Sequence, residues 1–430
     1  MILEPQPLPL KRSEFPEGVL NANWFSLFNA VSFQIFLGAP MVLYAKSLGA
    51  TATALGVLAS LSPLLTVFQI PAAHHLQRFG YRRFVLAGWG TRIICIFVVT
   101  IIPLLAFLNN GWKLALLLGF LFVFNLLRGI ASGAWFPWIT ELLPEEIRAR
   151  FLSRDQRFIQ SGSLVAMLSC GFVLQNNSSP WEFSLVFLIS GIGGAVSLYF
   201  LNRMPDVQAP EKLKLSGTRV PWREIITFPP FARLVGFNLL YTFTFGSLGV
   251  FTLSFLKGRA GLGENQILLF LTVSFMSALV ALPTTGKLLD ALGSKRFLRC
   301  ALGFHLVYLV GWIALATKVL EPSFGALVAI NLVAGAGGSA ASVAITRLTM
   351  NTMPAMGRSH FFAFFTVISS LCMGITPIVW GVCLDAMDGL KQVTGPLEWN
   401  RYSLYFVAIL ALAILSFFST AVLHEQPLKR

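Results

Sequence analysis

The hydrophobic positions of this chain fall in long blocks separated by short polar loops. Each block holds about 20 apolar residues or more, enough to cross a hydrocarbon layer of roughly 30 Å as helix. They predict helical spans near residues 22–46, 51–75, 84–108, 113–142, 157–176 and 181–203. After a polar connector, six more follow near 230–256, 265–289, 297–317, 324–352, 360–384 and 402–423. Only helices or closed barrels satisfy their backbone in lipid, and these runs are far too long for barrel strands. The pattern therefore predicts an all-α polytopic membrane protein with about twelve transmembrane helices.

Composition agrees with that reading. The 430 residues are 56% hydrophobic and 12% charged, with a mean hydropathy of +0.73, against roughly 25% charged in a soluble chain. The 39 Phe and 10 Trp exceed what one core with a polar shell absorbs. The opening "MILEPQPLPLKRSEFPEG" lacks the order of a cleaved signal, so the first span is expected to serve as an uncleaved one. Cys95, Cys170, Cys300, Cys372 and Cys383 lie in or beside apolar stretches without metal spacing, which makes them packing residues. No Walker A, G-x-S-x-G or H-E-x-x-H pattern occurs. No enzyme activity, ATP-driven pumping or cofactor is expected.

The net charge of +14 is sided. Lys11, Arg12, Arg78, Arg82, Arg83, Arg148, Arg150, Arg154 and Arg157 fall on the side of the termini, as do the connector's bases and Lys287, Lys295, Arg296, Arg299 and Arg358. The opposite loops hold only Lys46, Lys113, Lys257, Arg259, Lys318, Lys391 and Arg401. The positive-inside rule puts both termini in the cytoplasm of a cell membrane, with a bacterial inner membrane as the expected setting. The excess basicity reads as orientation signal and attraction to anionic lipid, not as a nucleic-acid footprint.

Two loops repeat. "AAHHLQRFGYRRF" after the second span parallels "TGKLLDALGSKRF" after the eighth, with Gly80 and Gly293 213 positions apart (293 − 80). "LPEEIRARF" after the fourth span parallels "MPAMGRSHF" after the tenth. Pro144, Arg148 and Phe151 match Pro354, Arg358 and Phe361 at an offset of 210. The chain thus reads as two copies of a six-helix unit. The expected organisation is a cytoplasmic segment 1–21, a bundle 22–203, a connector 204–228, a second bundle 229–423 and a tail 424–430. The polar stretch from Asn202 to Phe228 marks the boundary.

The pattern G-x-x-x-D-x-x-G-x-[KR]-[KR] between spans two and three, repeated between eight and nine, resembles the signature loop of the major facilitator superfamily. The resemblance covers the whole chain: twelve spans, a 6+6 split and both termini inside. The second copy matches fully with Gly286, Asp290, Gly293, Lys295 and Arg296. In the first, Gly80, Arg82 and Arg83 remain, while Ala73 replaces the first glycine and Gln77 the acid. The loop works as a reversible latch. Gly286 lets helices approach, Gly293 takes a turn closed to other residues, and Asp290 meets a helix start and an arginine across the seam. Pseudo-symmetry supplies Arg154 and Arg157 as its partners, and sets neutral Gln77 against Arg358. An asymmetric latch is expected, strong at Asp290 and weak at Gln77.

Ionisable residues inside the membrane are costly, so each is a functional candidate. Arg128 lies midway along span four, with Asn125, Ser132 and Trp135 at helical spacing on its face. The resemblance implies that span four lines a central cavity. Arg128 has no acidic partner deep in a span, so a wet-facing guanidinium would favour an anion or carboxylate. Bonding to helix carbonyls is the competing reading. Arg92 in span three and His305 in span nine are also 213 apart (305 − 92). The family's third and ninth spans are peripheral, so both read as snorkelling or interhelical groups. Asn29 and Gln34, Gln160, Asn238 and Tyr241, and Asn331 supply further candidate contacts on spans one, five, seven and ten. The glycine-rich "NLVAGAGGSAAS" suits a tenth span that packs closely and bends.

The resulting expectation is a secondary or facilitative transporter of a small, anionic or carboxylate-bearing organic solute, working as a monomer by alternating access. The coupling ion stays open, with Asp155 or His305 the buried titratable choices. Proton-coupled efflux of amphiphiles and a non-transporting receptor or scaffold are the alternatives. Span five lacks the Gly-Pro pattern of the family's drug antiporters, and the connector lacks its sugar-porter sequence.

Overall fold

The computed structural model describes residues 15–69, 72, 80–143, 145–206, 228–352 and 358–424. It is an all-α fold of two six-helix bundles. Span one is two helices, α1 (Asn21–Phe36) and α2 (Ala39–Ser47), broken at Leu37–Gly38 just before Pro40. Span two is α3 (Ala52–Leu65), closed by a 3₁₀ turn at Thr66–Phe68. The Thr51 side chain caps α3 by accepting from the Ala54 amide at 3.2 Å. α4 (Tyr81–Ile101) forms span three. Span four is α5 (Asn110–Ser132) and α6 (Trp135–Leu142), followed by α7 (Glu145–Val173) and α8 (Pro180–Asn202).

The second bundle repeats the plan. Span seven is α9 (Pro229–Phe245) and α10 (Leu248–Gly258), broken where span one is broken. α11 (Glu264–Leu292), α12 (Ser294–Ala316), α13 (Phe324–Thr352) and α14 (Arg358–Ala386) are continuous. The glycine-rich span ten is one unbroken helix, and the interruptions fall in spans one, four and seven. A hairpin of β1 (Lys391–Thr394) and β2 (Leu397–Asn400) leads into α15 (Arg401–Ser419). Among the described residues, ten spans are long and apolar enough to cross a membrane. The other two are span two, an apolar Ala52–Phe68 run, and α7, whose first turns carry charge.

The two repeated loops turn alike. Gly80 starts α4 at φ 74°, ψ 158°, and Gly293 starts α12 at φ 79°, ψ 159°. That backbone region is open essentially to glycine alone. Gly286 behaves differently from its expected role: no described atom lies within 4 Å of where its Cβ would stand.

The apolar core explains why. At the end of the bundle remote from the termini, one cluster joins both halves, with Leu55 and Leu58 packed into the same core as Phe251, Leu253 and Leu384. Toward the termini it divides. Phe25, Tyr81 and Trp138 belong to one cluster, and Leu234, Phe297 and Leu348 to another. Among the described residues, the apolar cores of the halves therefore merge at the far end and are separate toward the termini. The far-end contact is tight: a Cβ on Gly56 of α3 would stand 2.2 Å from the Pro377 carbonyl oxygen of α14.

Polar fasteners close that end. Asp385, at the end of α14, accepts from the Ala52 amide at 2.9 Å and the Thr53 amide at 2.7 Å, the first free donors of α3. Glu264, buried at the start of α11, pairs with Lys257 at 2.8 Å and accepts from the Asn177 amide of the other half at 3.1 Å. Two basic latch residues bond within their own halves. Arg82 donates to Asn202, and Lys295 donates to the carbonyls of Ala421 and Leu423 at 2.6 and 2.9 Å. Gln77 lies outside the described residues, as do the side chains of Asp290 and Arg358.

Candidate functional site

A cavity of about 420 Å³ lies in the first bundle, between spans one, three, four and five. Its floor is set by α1, which presents Ser26, Asn29, Phe33 and Gln34 along one side. Positions three, four and seven apart share a helix face, so the sequence itself dictates this stripe.

Arg128 enters from α5. Its Nη1 donates to the Ser62 hydroxyl of α3 at 2.6 Å, and the guanidinium lies 4.8 Å from the centre of the Phe33 ring. A charge on an aromatic face is held by the ring quadrupole without being neutralised. Ser62 is neutral too, so the guanidinium keeps its full charge beside the cavity. Ser132 and Trp135 line the same cavity although the helix breaks between them. Asn125, expected on this face, is buried elsewhere: its Nδ2 donates to the Leu121 carbonyl at 2.9 Å.

Arg92 makes an interhelical bond, one of its two expected roles, but at the cavity wall and not at the periphery. It is 3% exposed and lines this cavity instead of reaching the membrane edge. Its guanidinium stacks 4.4 Å above Trp89 and 5.4 Å from Phe124, and donates to Asn29 Oδ1. Trp89 Nε1 donates to the same Asn29 oxygen at 3.2 Å. One amide oxygen thus holds two cavity-wall groups in place. Span three comes this close because Gly88 packs on Ala131 of α5, where a Cβ would stand 2.3 Å from the alanine's. His305, the pseudo-equivalent of Arg92, has no such place. Its Nδ1 donates to the Ala301 carbonyl, 2.9 Å away, and the ring packs 4.6 Å from that of Phe245.

Asp155 closes the other end of the cavity from α7, with Ile159 and Ser163 one and two turns on. It is 7% exposed. Asn23 Nδ2 donates to it at 3.2 Å, and the Ser26 hydroxyl faces the same carboxylate. No cation pairs with it among the described residues. The sequence offered Asp155 as a buried titratable group, but not the cavity that it shares with Ile159 and Ser163 at helical spacing.

The remaining candidates do not join this cavity. Gln160 sits on α7 half-buried, outside the lining. In the second bundle, Asn238 donates to Ser369 at 2.6 Å, bonding α9 to α14. Asn331 donates to the Leu327 carbonyl at 2.8 Å within α13. Tyr241 stacks between Phe237 and Phe245, at 6.1 and 4.8 Å. Arg154 lies 5.8 Å from the Phe158 ring and Arg157 is exposed. Among the described residues no cluster of His, Cys, Asp and Glu is arranged for a metal.

The family model described as Major Facilitator Superfamily matches residues 23–377. Solved structures share the fold at low identity. A nucleoside transporter, NupG, superposes with a TM-score of 0.73 at 12% identity, covering 94% of this chain and 99% of that one. The xylose transporter XylE from E. coli, in an inward open conformation, gives 0.69 at 17% identity over 95% and 96%. A bacterial homologue of the human lysosomal transporter Spinster, inward-facing and unoccupied, gives 0.69 at 16% over 96% and 100%. No curated protein matches the chain.

Proposed function

This chain belongs to the Major Facilitator Superfamily, and from that premise we propose that it is a secondary or facilitative transporter of a small, carboxylate-bearing organic solute. The carrying observation is the pair Arg92 and Arg128, two guanidiniums on the wall of one cavity, neither paired with an acid among the described residues. A guanidinium fork matches a carboxylate in two parallel hydrogen bonds. Trp89, Trp135, Phe25 and Phe33 around them suit the apolar body of an organic acid. Nucleoside and xylose transporters among the neighbours support a small polar solute.

The two halves, residues 22–203 and 229–423, rock about this cavity. The far-end contacts open as latch contacts near the termini form, exposing the site to each side in turn. Basic loops put the termini in the cytoplasm, so the state described here faces inward. The protein sits in a cell membrane and works as a monomer.

The test is a thermal-shift screen of small metabolites on the wild type and Arg128→Ala, followed by counterflow of each hit in proteoliposomes. Carboxylates should stabilise the wild type, and the variant should bind them roughly ten- to a hundredfold more weakly, the size of a charge-assisted pair. Ligands that stabilise both proteins equally would defeat the carboxylate assignment. Binding without counterflow would favour a receptor.

A further inference from the structure

The cavity that holds two arginines also holds an acid, and a pure anion gains nothing from that. An ionised Asp155 repels an anionic solute across a space of about 420 Å³. Its carboxylate is buried, receives neutral donors from Asn23 and Ser26, and has no ion pair among the described residues. Buried carboxylates ordinarily have a cationic partner. Asn23 adds a second mark of incompleteness: its own Oδ1, on a residue 1% exposed, has no hydrogen-bond partner.

The three charges are ordered along α1. Asp155 lies beside Ser26, Arg92 beside Asn29 and Arg128 beside Phe33. Phe33 lies seven positions after Ser26, which is about 10 Å of helix. The wall between is aromatic, with Trp89 and Trp135 facing the cavity.

From this layout we infer that the solute is a zwitterion. Its carboxylate is gripped at the Arg92–Arg128 end, its ammonium completes the ion pair of Asp155, and an apolar or aromatic middle lies against the tryptophans. The class is that of amino acids with well-separated termini or short peptides. The inference rests on the carboxylate reading above and adds a specificity residue, Asp155, to it.

A matched set of probes tests it on the full-length protein in detergent: 4-(aminomethyl)benzoate, 4-methylbenzoate and 4-methylbenzylamine. They share a ring and differ only in which charge they carry. Binding is read by quenching of tryptophan fluorescence and by calorimetry in weakly buffered solution. The wild type should bind 4-(aminomethyl)benzoate about tenfold or more tightly than 4-methylbenzoate. Asp155→Asn should erase that difference while binding 4-methylbenzoate at least as well as the wild type, which also shows that the variant is folded. Arg128→Gln should weaken both carboxylates.

Equal binding of the two carboxylates by the wild type overturns the zwitterion and leaves the carboxylate reading standing. Proton uptake with 4-methylbenzoate that vanishes in Asp155→Asn also overturns it, and assigns Asp155 to a coupling proton. Binding of both carboxylates that ignores Arg128→Gln defeats the carboxylate reading itself.

Discussion

Asp385 offers the sharpest test of how the two halves are held. Its carboxylate sits at the end of α14 and accepts from the amides of Ala52 and Thr53, 2.9 and 2.7 Å away, in the other half. These amides belong to the first turn of α3 and have no carbonyl of their own helix to bond. The replacement Asp385→Asn keeps one acceptor oxygen but removes the charge. A hydrogen bond to a charged group contributes roughly 1.5–3 kcal/mol and one to a neutral group roughly 0.5–1.5. The charge at a helix N-terminus contributes about 0.3–1 kcal/mol more. Asp385 is half-exposed, so solvent screening takes the loss toward the lower end, about 1–2 kcal/mol. That shifts the balance between closed and open far ends by roughly five- to thirtyfold. Hydrogen exchange read by mass spectrometry on peptides covering Ala52 and Thr53 measures it directly, since each opening frees both amides. Exchange there should speed up by that factor, with α14 near Asp385 following. Asp388→Asn is the control: that carboxylate is 71% exposed and pairs with Arg401 of its own half at 2.7 Å. Unchanged protection in Asp385→Asn, or an equal change in the control, would refute the fastener.

Two further outcomes test the fold. Gly80→Ala and Gly293→Ala should each lower stability by about 1–3 kcal/mol in thermal unfolding, from the strain of a side chain at φ 74° and 79°, and at Gly80 no described atom lies within 4 Å of the added methyl; a neutral result would show that the loops do not hold this conformation in solution. Glu264→Gln should cost about 1–3 kcal/mol by the same measurement, since it leaves Lys257, 16% exposed, facing a neutral group, while Asp388→Asn should cost under about 0.5 kcal/mol.

Long apolar blocks fix the number and course of the spans, because a helix in lipid must satisfy its own backbone whatever its neighbours do. The duplication was equally plain in the sequence. Gly80 and Gly293 repeat at one offset and adopt the same rare backbone angles, a property written locally in the chain. Arg128 stood out because a lone cation within a span has few reasons to exist.

What the sequence left open depends on distances between helices. Arg92 read as a peripheral group until packing of Gly88 on Ala131 carried it to Asn29 and the cavity. Asp155 read only as a buried titratable group, and it is the packing of α7 against α1 that delivers it to Asn23 and Ser26. Asp385 carried no signal in the sequence, and only the meeting of α14 with α3 sets it on two amides of the other half. Hydrophobic periodicity records which face of a helix avoids water, and so determines the spans by itself. Which buried polar groups meet across those faces depends on interhelical approach and register, and that was decided by the tertiary structure alone.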